Sequence, residues 1–293
     1  MDGGIEKAQP AWQPLTARGV AAFAGASWGR LLLVQFILAL LAAAVVLWFL
    51  DRAWFPPIRE AIHQLPAEGQ ILSGTLDWRG DSPQRLAENR FLALTVDLEH
   101  QGQARSAAQV QVELGRRDFK ISSLIGYCGA PYPTDLRVPL NRVQLEPWWG
   151  AWAPAILAIV AAAVIISLLL SWALLATAYS LPVRLIGFFA NRDLNVRGSW
   201  RLAGAALMPG SLFLTVTIFF YGLGLVDPMR LAVAAAAHLV MGWLYLFVSP
   251  LRLPRHPAVP VLKRNPFAAA VKPQATAPQA KPSAGADPPT ARD

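Results

Sequence analysis

The chain has 293 residues, of which 55% are hydrophobic and 15% are charged, and its formal net charge is +8. Soluble domains carry about a quarter charged residues, so this composition excludes an ordinary soluble protein and indicates a membrane protein. The single cysteine, Cys128, excludes an internal disulfide bond.

The first long apolar run extends from Leu31 to Leu50, and its one polar side chain is Gln35. A backbone crosses hydrocarbon only if its hydrogen bonds close internally, so this run predicts a first transmembrane helix at 30–50. No small-x-small cleavage site follows before Asp51, which favours a retained anchor over a cleaved signal peptide. Residues 1–29 then form an N-terminal segment.

Residues 51–147 form a long segment of mixed charge, with eleven Lys or Arg and twelve Asp or Glu. Residues 56–65 have the pattern of a short amphipathic helix, after which the apolar pattern changes to period two. Polar and apolar residues alternate over 109–114, as in a half-buried strand, and residues 126–147 are expected to be an extended connection. We predict a small α+β domain of four or five strands with a thin core.

Three further apolar runs predict transmembrane helices at 150–181, 203–225 and 229–250. The second run is too long for one crossing, so its helix either protrudes or, as we favour, ends near Pro182. Residues 182–202 would then be a loop that contains an interfacial helix. The predicted fold class is therefore a membrane protein: four transmembrane α-helices with a small mostly β extracytoplasmic domain inserted between helices 1 and 2.

Residues 251–293 hold nine prolines and carry seven Lys or Arg against two Asp, which predicts a disordered basic tail. Attraction to anionic lipid head groups explains such a tail beside a membrane, so we expect the lipid bilayer and no nucleic acid as its partner.

Lys and Arg near the ends of membrane helices set their orientation. Three basic segments fall on one side if there are four crossings: Lys7, Arg18 and Arg30; Arg184, Arg192, Arg197 and Arg201; and Arg252, Arg255, Lys263 and Arg264. This pattern predicts a multi-pass protein with both termini in the cytoplasm and residues 51–147 outside.

No charged residue lies in the interior of the predicted spans, whereas proton relays and ion-coupled carriers place charges there. We therefore predict no enzyme activity, no cofactor, no metal and no catalytic residue. Gln35 and His238 are the candidate intramembrane polar contacts. His238 lies with Ala234 and Gly242 on one helical stripe of mostly small residues, where we expect it to pack and to bond across helices. A functional histidine, as a ligand or proton carrier, is the alternative.

The layout carries a resemblance in two short motifs, Leu-Pro-x-x-Gly-x-Ile-x-x-Gly-x-Leu from Leu65 to Leu76 and the strand end Val96-Asp97. It resembles bacterial four-span membrane proteins of an uncharacterised domain-of-unknown-function family, distantly similar to Yip-type membrane proteins. The resemblance covers about residues 30–250 and transfers no catalytic residue. It implies a membrane-embedded protein without a known activity, and together with the predicted topology we expect a location in the bacterial cytoplasmic (inner) membrane.

Two functions remain open. The first is a non-enzymatic, membrane-anchored extracytoplasmic binding domain of unknown specificity, whose partner is another envelope or membrane protein or a small ligand. The second is a small transporter or lipid-handling channel that acts as a homo-oligomer. A polar cavity among the helices would favour transport, whereas a tightly packed bundle would favour the anchored domain.

Overall fold

The structure is a computed structural model that describes residues 12–135 and 137–255. Those residues form seven α-helices: α1 (Ala17–Ala22), α2 (Trp28–Phe49), α3 (Phe55–His63), α4 (Arg142–Phe189), α5 (Val196–Ala206), α6 (Met208–Gly222) and α7 (Pro228–Val248). They also form eight strands: β1 (Gly69–Leu72), β2 (Thr75–Trp78), β3 (Gln84–Glu88), β4 (Leu92–Val96), β5 (Val110–Leu114), β6 (Asp118–Ser123), β7 (Gly126–Pro131) and β8 (Arg137–Pro139). The predicted disordered tail falls mainly on residues 256–293, outside the described ones.

The predicted fold class, four transmembrane helices and one small mostly β domain between the first two, is wrong. Five of the seven helices in the described residues have eleven residues or more, and the strands form two separate sheets. The third apolar run is two helices, α5 and α6, which meet at Leu207. Pro209 explains the break, because proline lacks a backbone N–H and its ring clashes with the carbonyl four residues earlier.

Four helical segments are long and apolar enough to cross a membrane: Trp28–His63, Arg142–Phe189, Val196–Gly222 and Pro228–Arg252. In the first, a π-helical turn at Leu50–Trp54 joins α2 to α3. The second is α4, which continues through Pro182 to Phe189 instead of ending near that proline. At 1.5 Å per residue α4 is about 72 Å long, so it extends well beyond a hydrocarbon core of about 30 Å.

Small residues allow the helices to pack closely around α5. Ala203, Ala205 and Ala206 are fully buried and belong to one core with Leu31 of α2 and Ala176 of α4. Alanine side chains are short, so they leave room for neighbouring helix backbones to approach. Close approach of this kind lets helices associate in a membrane, where no hydrophobic driving force acts between them.

Several arginines tie the chain together at the end of the bundle where α1 lies, which we call the basic end. Arg201 Nη2 donates a hydrogen bond to the Ala24 carbonyl oxygen over 2.7 Å. Arg192 Nη1 donates to the Leu253 carbonyl oxygen over 2.6 Å. The start of α5 and the end of α7 therefore lie at the same end as the start of α2.

The strands lie between α3 and α4 in the chain. One sheet has the strand order β2-β1-β8, and the other has the order β3-β4-β5-β6-β7. All pairs are antiparallel except β4 and β5, which are parallel. Two small apolar clusters join the sheets and α3, and they share Trp78, Leu98, Leu114 and Leu140 at their borders. This thin core is what a domain of this size can bury.

Parallel strands require a long connection, and residues 97–109, the crossover loop, supply it between β4 and β5. Gln111 Nε2 donates to the Ala104 carbonyl oxygen and to Thr95 Oγ1, each over 3.1 Å, and this pins the loop to the sheet. Gly102 N donates to Asp97 Oδ2 over 2.8 Å. Polar contacts therefore hold the loop against β4 and β5.

Aromatic contacts seat the sheets on the opposite end of the bundle, which we call the domain end. The ring of Phe91 lies 5.4 Å from Phe49 at the end of α2 and 5.3 Å from Tyr221 at the end of α6. Arg90 Nη1 donates to the Gly224 carbonyl oxygen over 2.8 Å, and Tyr221 donates its hydroxyl to Gln109 Oε1. The β strands and the basic end thus occupy opposite ends of the helices.

Candidate functional site

A cavity of about 320 Å³ lies between α2, α4, α6 and α7. Its lining residues are mostly aliphatic or aromatic. They are Ala42, Val46, Val164, Ser167, Leu168, Ser171, Trp172, Leu175, Tyr179, Leu207, Ser211, Leu214, Thr215, Ile218, His238, Leu239, Gly242 and Trp243. None of these residues is charged, so the cavity suits a neutral or apolar occupant.

Helical spacing on α4 creates one wall of the cavity. Ser167, Ser171, Leu175 and Tyr179 follow one another at intervals of four residues and line it together. This stripe of α4 therefore borders the open space of the cavity.

The serine and threonine hydroxyls of the wall are already bonded within their own helices. Ser171 Oγ donates to the Leu168 carbonyl oxygen over 2.9 Å, and Ser211 Oγ donates to that of Met208 over the same distance. Thr215 Oγ1 donates to the Ser211 carbonyl oxygen over 2.8 Å. Because each hydroxyl proton is already donated within its own helix, these groups line the cavity as hydrogen-bond acceptors.

Tyr179 and Trp243 line the cavity and are hydrogen bonded to each other. Trp243 Nε1 donates to Tyr179 Oη over 3.0 Å and joins α7 to α4. Because that oxygen acts as the acceptor, the phenolic proton remains for a further acceptor. Neither residue was predicted from the sequence, where the one signal was their position near span ends, at which indole and phenol rings concentrate.

His238 also lines the cavity, from α7. Its Nδ1 is hydrogen bonded to the Ala235 carbonyl oxygen one turn earlier, so the neutral ring carries its proton on Nδ1. Nε2 is then a hydrogen-bond acceptor, and it has no partner among residues 12–135 and 137–255. The expected bond from His238 to another helix is replaced by this bond within α7.

Gln35 lies elsewhere, in the helix core. Its side chain is 3% exposed, and Nε2 donates a long hydrogen bond of 3.4 Å to the Gly204 carbonyl oxygen of α5. Gly204 leaves room for the Gln35 side chain, because a Cβ added at Gly204 would lie only 3.3 Å from Gln35 Nε2. The structure therefore does not bring Gln35 and His238 together, and Gln35 joins α2 to α5.

A second polar cluster lies in the sheet region, around His100. Its Nε2 is 2.8 Å from Asp118 Oδ1, and its Nδ1 is bonded to Glu113 Oε1. Burial alone would lower the pKa of His100, but the bonds to Glu113 and Asp118 outweigh it and raise the pKa above its ordinary value. Both carboxylates favour the charged imidazolium, and the ring joins β5 to β6 through Glu113 and Asp118.

The other polar residues of this region stay apart from His100. His63 Nδ1 lies 3.4 Å from Glu146 Oε1 on the surface, and Cys128 is exposed on β7. Within the described part of the chain, no group of three or more His, Cys, Asp or Glu residues is arranged to hold a metal ion.

Comparisons with protein-family models, with curated proteins and with solved structures found no match for this chain.

Proposed function

We propose that the chain is a non-enzymatic integral membrane protein that binds a lipid-like molecule in the cavity between α2, α4, α6 and α7. One observation carries the proposal: an uncharged cavity of about 320 Å³ lies among helical segments that are apolar enough to cross a membrane. Small-molecule sites have volumes of roughly 300–1,000 Å³ and apolar walls with a few polar groups. Acyl chains are the neighbours that a lipid bilayer supplies.

The polar groups of the cavity suit a ligand with a neutral hydroxyl or carbonyl group. His238 Nε2 would accept a hydrogen bond from a hydroxyl, and the Tyr179 hydroxyl would donate one to an oxygen. The absence of charge on the wall speaks against the binding of an ion. This arrangement favours lipid handling over ion transport within our second hypothesis, because the cavity wall is mostly apolar and carries no Asp, Glu, Lys or Arg.

Filling the cavity tests this proposal. Ser171→Phe places a ring in the cavity, whereas Leu170→Phe places the same ring on the exposed face of the same helix. We expect native mass spectrometry of the purified protein to show bound lipid for the wild type and for Leu170→Phe. We expect at least a tenfold lower bound fraction for Ser171→Phe. Equal lipid retention in the two variants would refute binding in the cavity.

For the location we propose the cytoplasmic membrane of a bacterium, with both termini inside and the sheets outside. The charge distribution supports this orientation, since Lys and Arg concentrate on the cytoplasmic side. Eight arginines lie at the basic end among the described residues, together with Asp193: Arg18, Arg30, Arg184, Arg192, Arg197, Arg201, Arg252 and Arg255.

Cys128 allows a direct test of this orientation, because it is the single cysteine of the chain and is exposed on β7. We expect a membrane-impermeant maleimide to label Cys128 when only the outer envelope of cells is opened. A Cys128→Ser, Arg197→Cys variant carries its thiol at the basic end and should react only after the inner membrane is permeabilised. The reverse order of labelling would refute the orientation.

The anchored binding domain remains a second candidate, and the open edge of β7 favours it. β7 is the last strand of its sheet, and its residues are exposed apart from the half-exposed Ala130. An unpaired edge offers N–H and C=O groups to an added strand of another envelope or membrane protein. Crosslinking from Cys128 in native membranes would identify such a partner or a second copy of the chain.

A further inference from the structure

The turn between β6 and β7 exposes apolar side chains to an unusual degree. Leu124 is 64% exposed, Ile125 is 97% exposed and Tyr127 is 81% exposed. We call residues 124–127 the hairpin tip. Residues 121–134 contain no Asp, Glu, Lys or Arg, so this whole stretch lacks the charges that keep a surface hydrated. Apolar area left in water costs about 25 cal/mol per Å², and an exposed cluster of this kind marks a contact surface.

Strand register shows which way the tip points. Leu92 pairs with Val110, Val110 with Ser123, and Ser123 with Gly126, so one row of residues crosses β4, β5, β6 and β7. The hairpin tip lies where this row reaches β6 and β7, and Leu124 and Ile125 extend just past the ends of these two strands.

The other end of the same row rests on the helices. Phe91, one residue before Leu92, packs on Phe49 and Tyr221 at the ends of α2 and α6. Gln109, one residue before Val110, accepts a hydrogen bond from Tyr221. The row therefore lies at the level where α2 and α6 end, and strands β4 and β5 begin at this level.

The hairpin tip shares this level with the start of α7. Leu124 and Pro228, the first residue of α7, line the same open cleft of about 390 Å³. β7 is two strands away from β5, which is about 10 Å at the usual strand spacing. The tip is thus displaced sideways from the contact with α6, and Ile125 is almost fully exposed at the level where the apolar helix α7 begins.

We propose that the hairpin tip contacts the lipid surface of the membrane that the helices cross. Leu124 and Ile125 enter the boundary between head groups and acyl chains, and Tyr127 lies at the head-group level, which suits a ring with one polar end. Residues 121–134 contain no Asp, Glu, Lys or Arg, so no charged side chain has to be desolvated when the tip reaches that boundary. The tip is a third anchor for the sheets, in addition to α2 and α4.

A second copy of the chain is a weaker explanation for the exposed side chains. Three side chains provide much less than the roughly 800 Å² per partner of a stable interface. The register also places the tip at the level where the apolar helices end, and lipid is the neighbour that a membrane supplies at that level.

Spin labelling in the full-length protein tests the proposal. In a Cys128→Ser background, a nitroxide is attached at Ile125→Cys, and a matched control is labelled at Arg117→Cys. Arg117 is exposed at the opposite end of β6, so the two labels are separated by about 25 Å of strand. Both proteins are placed in phosphatidylcholine nanodiscs, and power saturation measures access to oxygen and to a water-soluble nickel chelate.

We expect the label at position 125 to be more accessible to oxygen than to the chelate, and the label at 117 to show the reverse preference. Chelate access at 125 equal to that at 117 would overturn the proposal. Spectral broadening at 125 that disappears on dilution with unlabelled protein would show a second copy at the tip and would also overturn it. If Ile125→Cys does not fold, Tyr127→Cys in the same background gives the same comparison.

Discussion

Gly210→Val is expected to destabilise the helix bundle by about 3 kcal/mol or more. An added Cβ at Gly210 would lie 2.4 Å from the carbonyl oxygen of His238 and 3.3 Å from its carbonyl carbon. Both atoms belong to the backbone of α7, which cannot rotate away as a side chain can. Helices α6 and α7 must therefore separate, and the packing next to the cavity is lost. Thermal unfolding in detergent, followed by circular dichroism, measures the effect.

Gly150→Val is the matched control, because an added Cβ at Gly150 meets nothing within 4 Å. It introduces the same β-branched residue into a helix at an exposed position, where only the small intrinsic preference of valine applies. We expect its unfolding temperature to stay close to that of the wild type. Similar losses in both variants would mean that valine itself, and not the approach of α7 to α6, causes the effect.

The sequence predicted the long apolar helices because their signal is local. A run such as Leu31 to Leu50 has one reasonable solution in hydrocarbon, whatever the rest of the chain does. The third run is different, because its hydropathy is continuous but its backbone forms two helices. One transmembrane helix was predicted at 203–225, whereas the chain forms α5 and α6 with a break next to Pro209.

The strand arrangement could be predicted less well, because it depends on pairing between distant residues. The alternation in β5 was readable from the sequence, but β7 and β8 fall where an extended connection was expected. Gly, Cys and Pro give β7 no strand preference, and it forms because the hairpin register places it against β6. β8 pairs with β1 across more than sixty residues, which no local pattern reports.

The cavity could not be predicted because it depends on helix rotation. Tyr179 and Trp243 are 64 residues apart and meet only when α4 and α7 turn their faces toward each other. The sequence identified His238 as unusual, yet not the space that it borders. Small residues on a helix are equally compatible with close packing and with a gap, since both arise where side chains are short.

His100→Asn is expected to lower the free energy of unfolding by about 2 kcal/mol below pH 6.5 and by less at higher pH. Hydrogen bonds to charged groups contribute about 1.5–3 kcal/mol, and His100 makes two, to Glu113 and Asp118. Because the folded-state pKa of His100 is raised, its stabilisation is complete below the unfolded value of about 6.5. It is lost as the pH rises through the folded value. Lys120 opposes the positive ring but does not reverse the shift.

Asparagine is the suitable replacement because His100 has a positive φ of 53°, a conformation that asparagine tolerates better than most residues. Unfolding is followed between pH 5 and pH 9, and the wild-type minus variant difference should shrink as the pH rises. His63→Asn is the control, since the exposed contact to Glu146 should contribute little at any pH. A difference that stays constant over the range would show that protonation of His100 does not hold the crossover loop. A difference that declines as the pH rises would show that the crossover loop is held in a pH-dependent way. The last residue of this loop, Gln109, accepts a hydrogen bond from Tyr221 of α6.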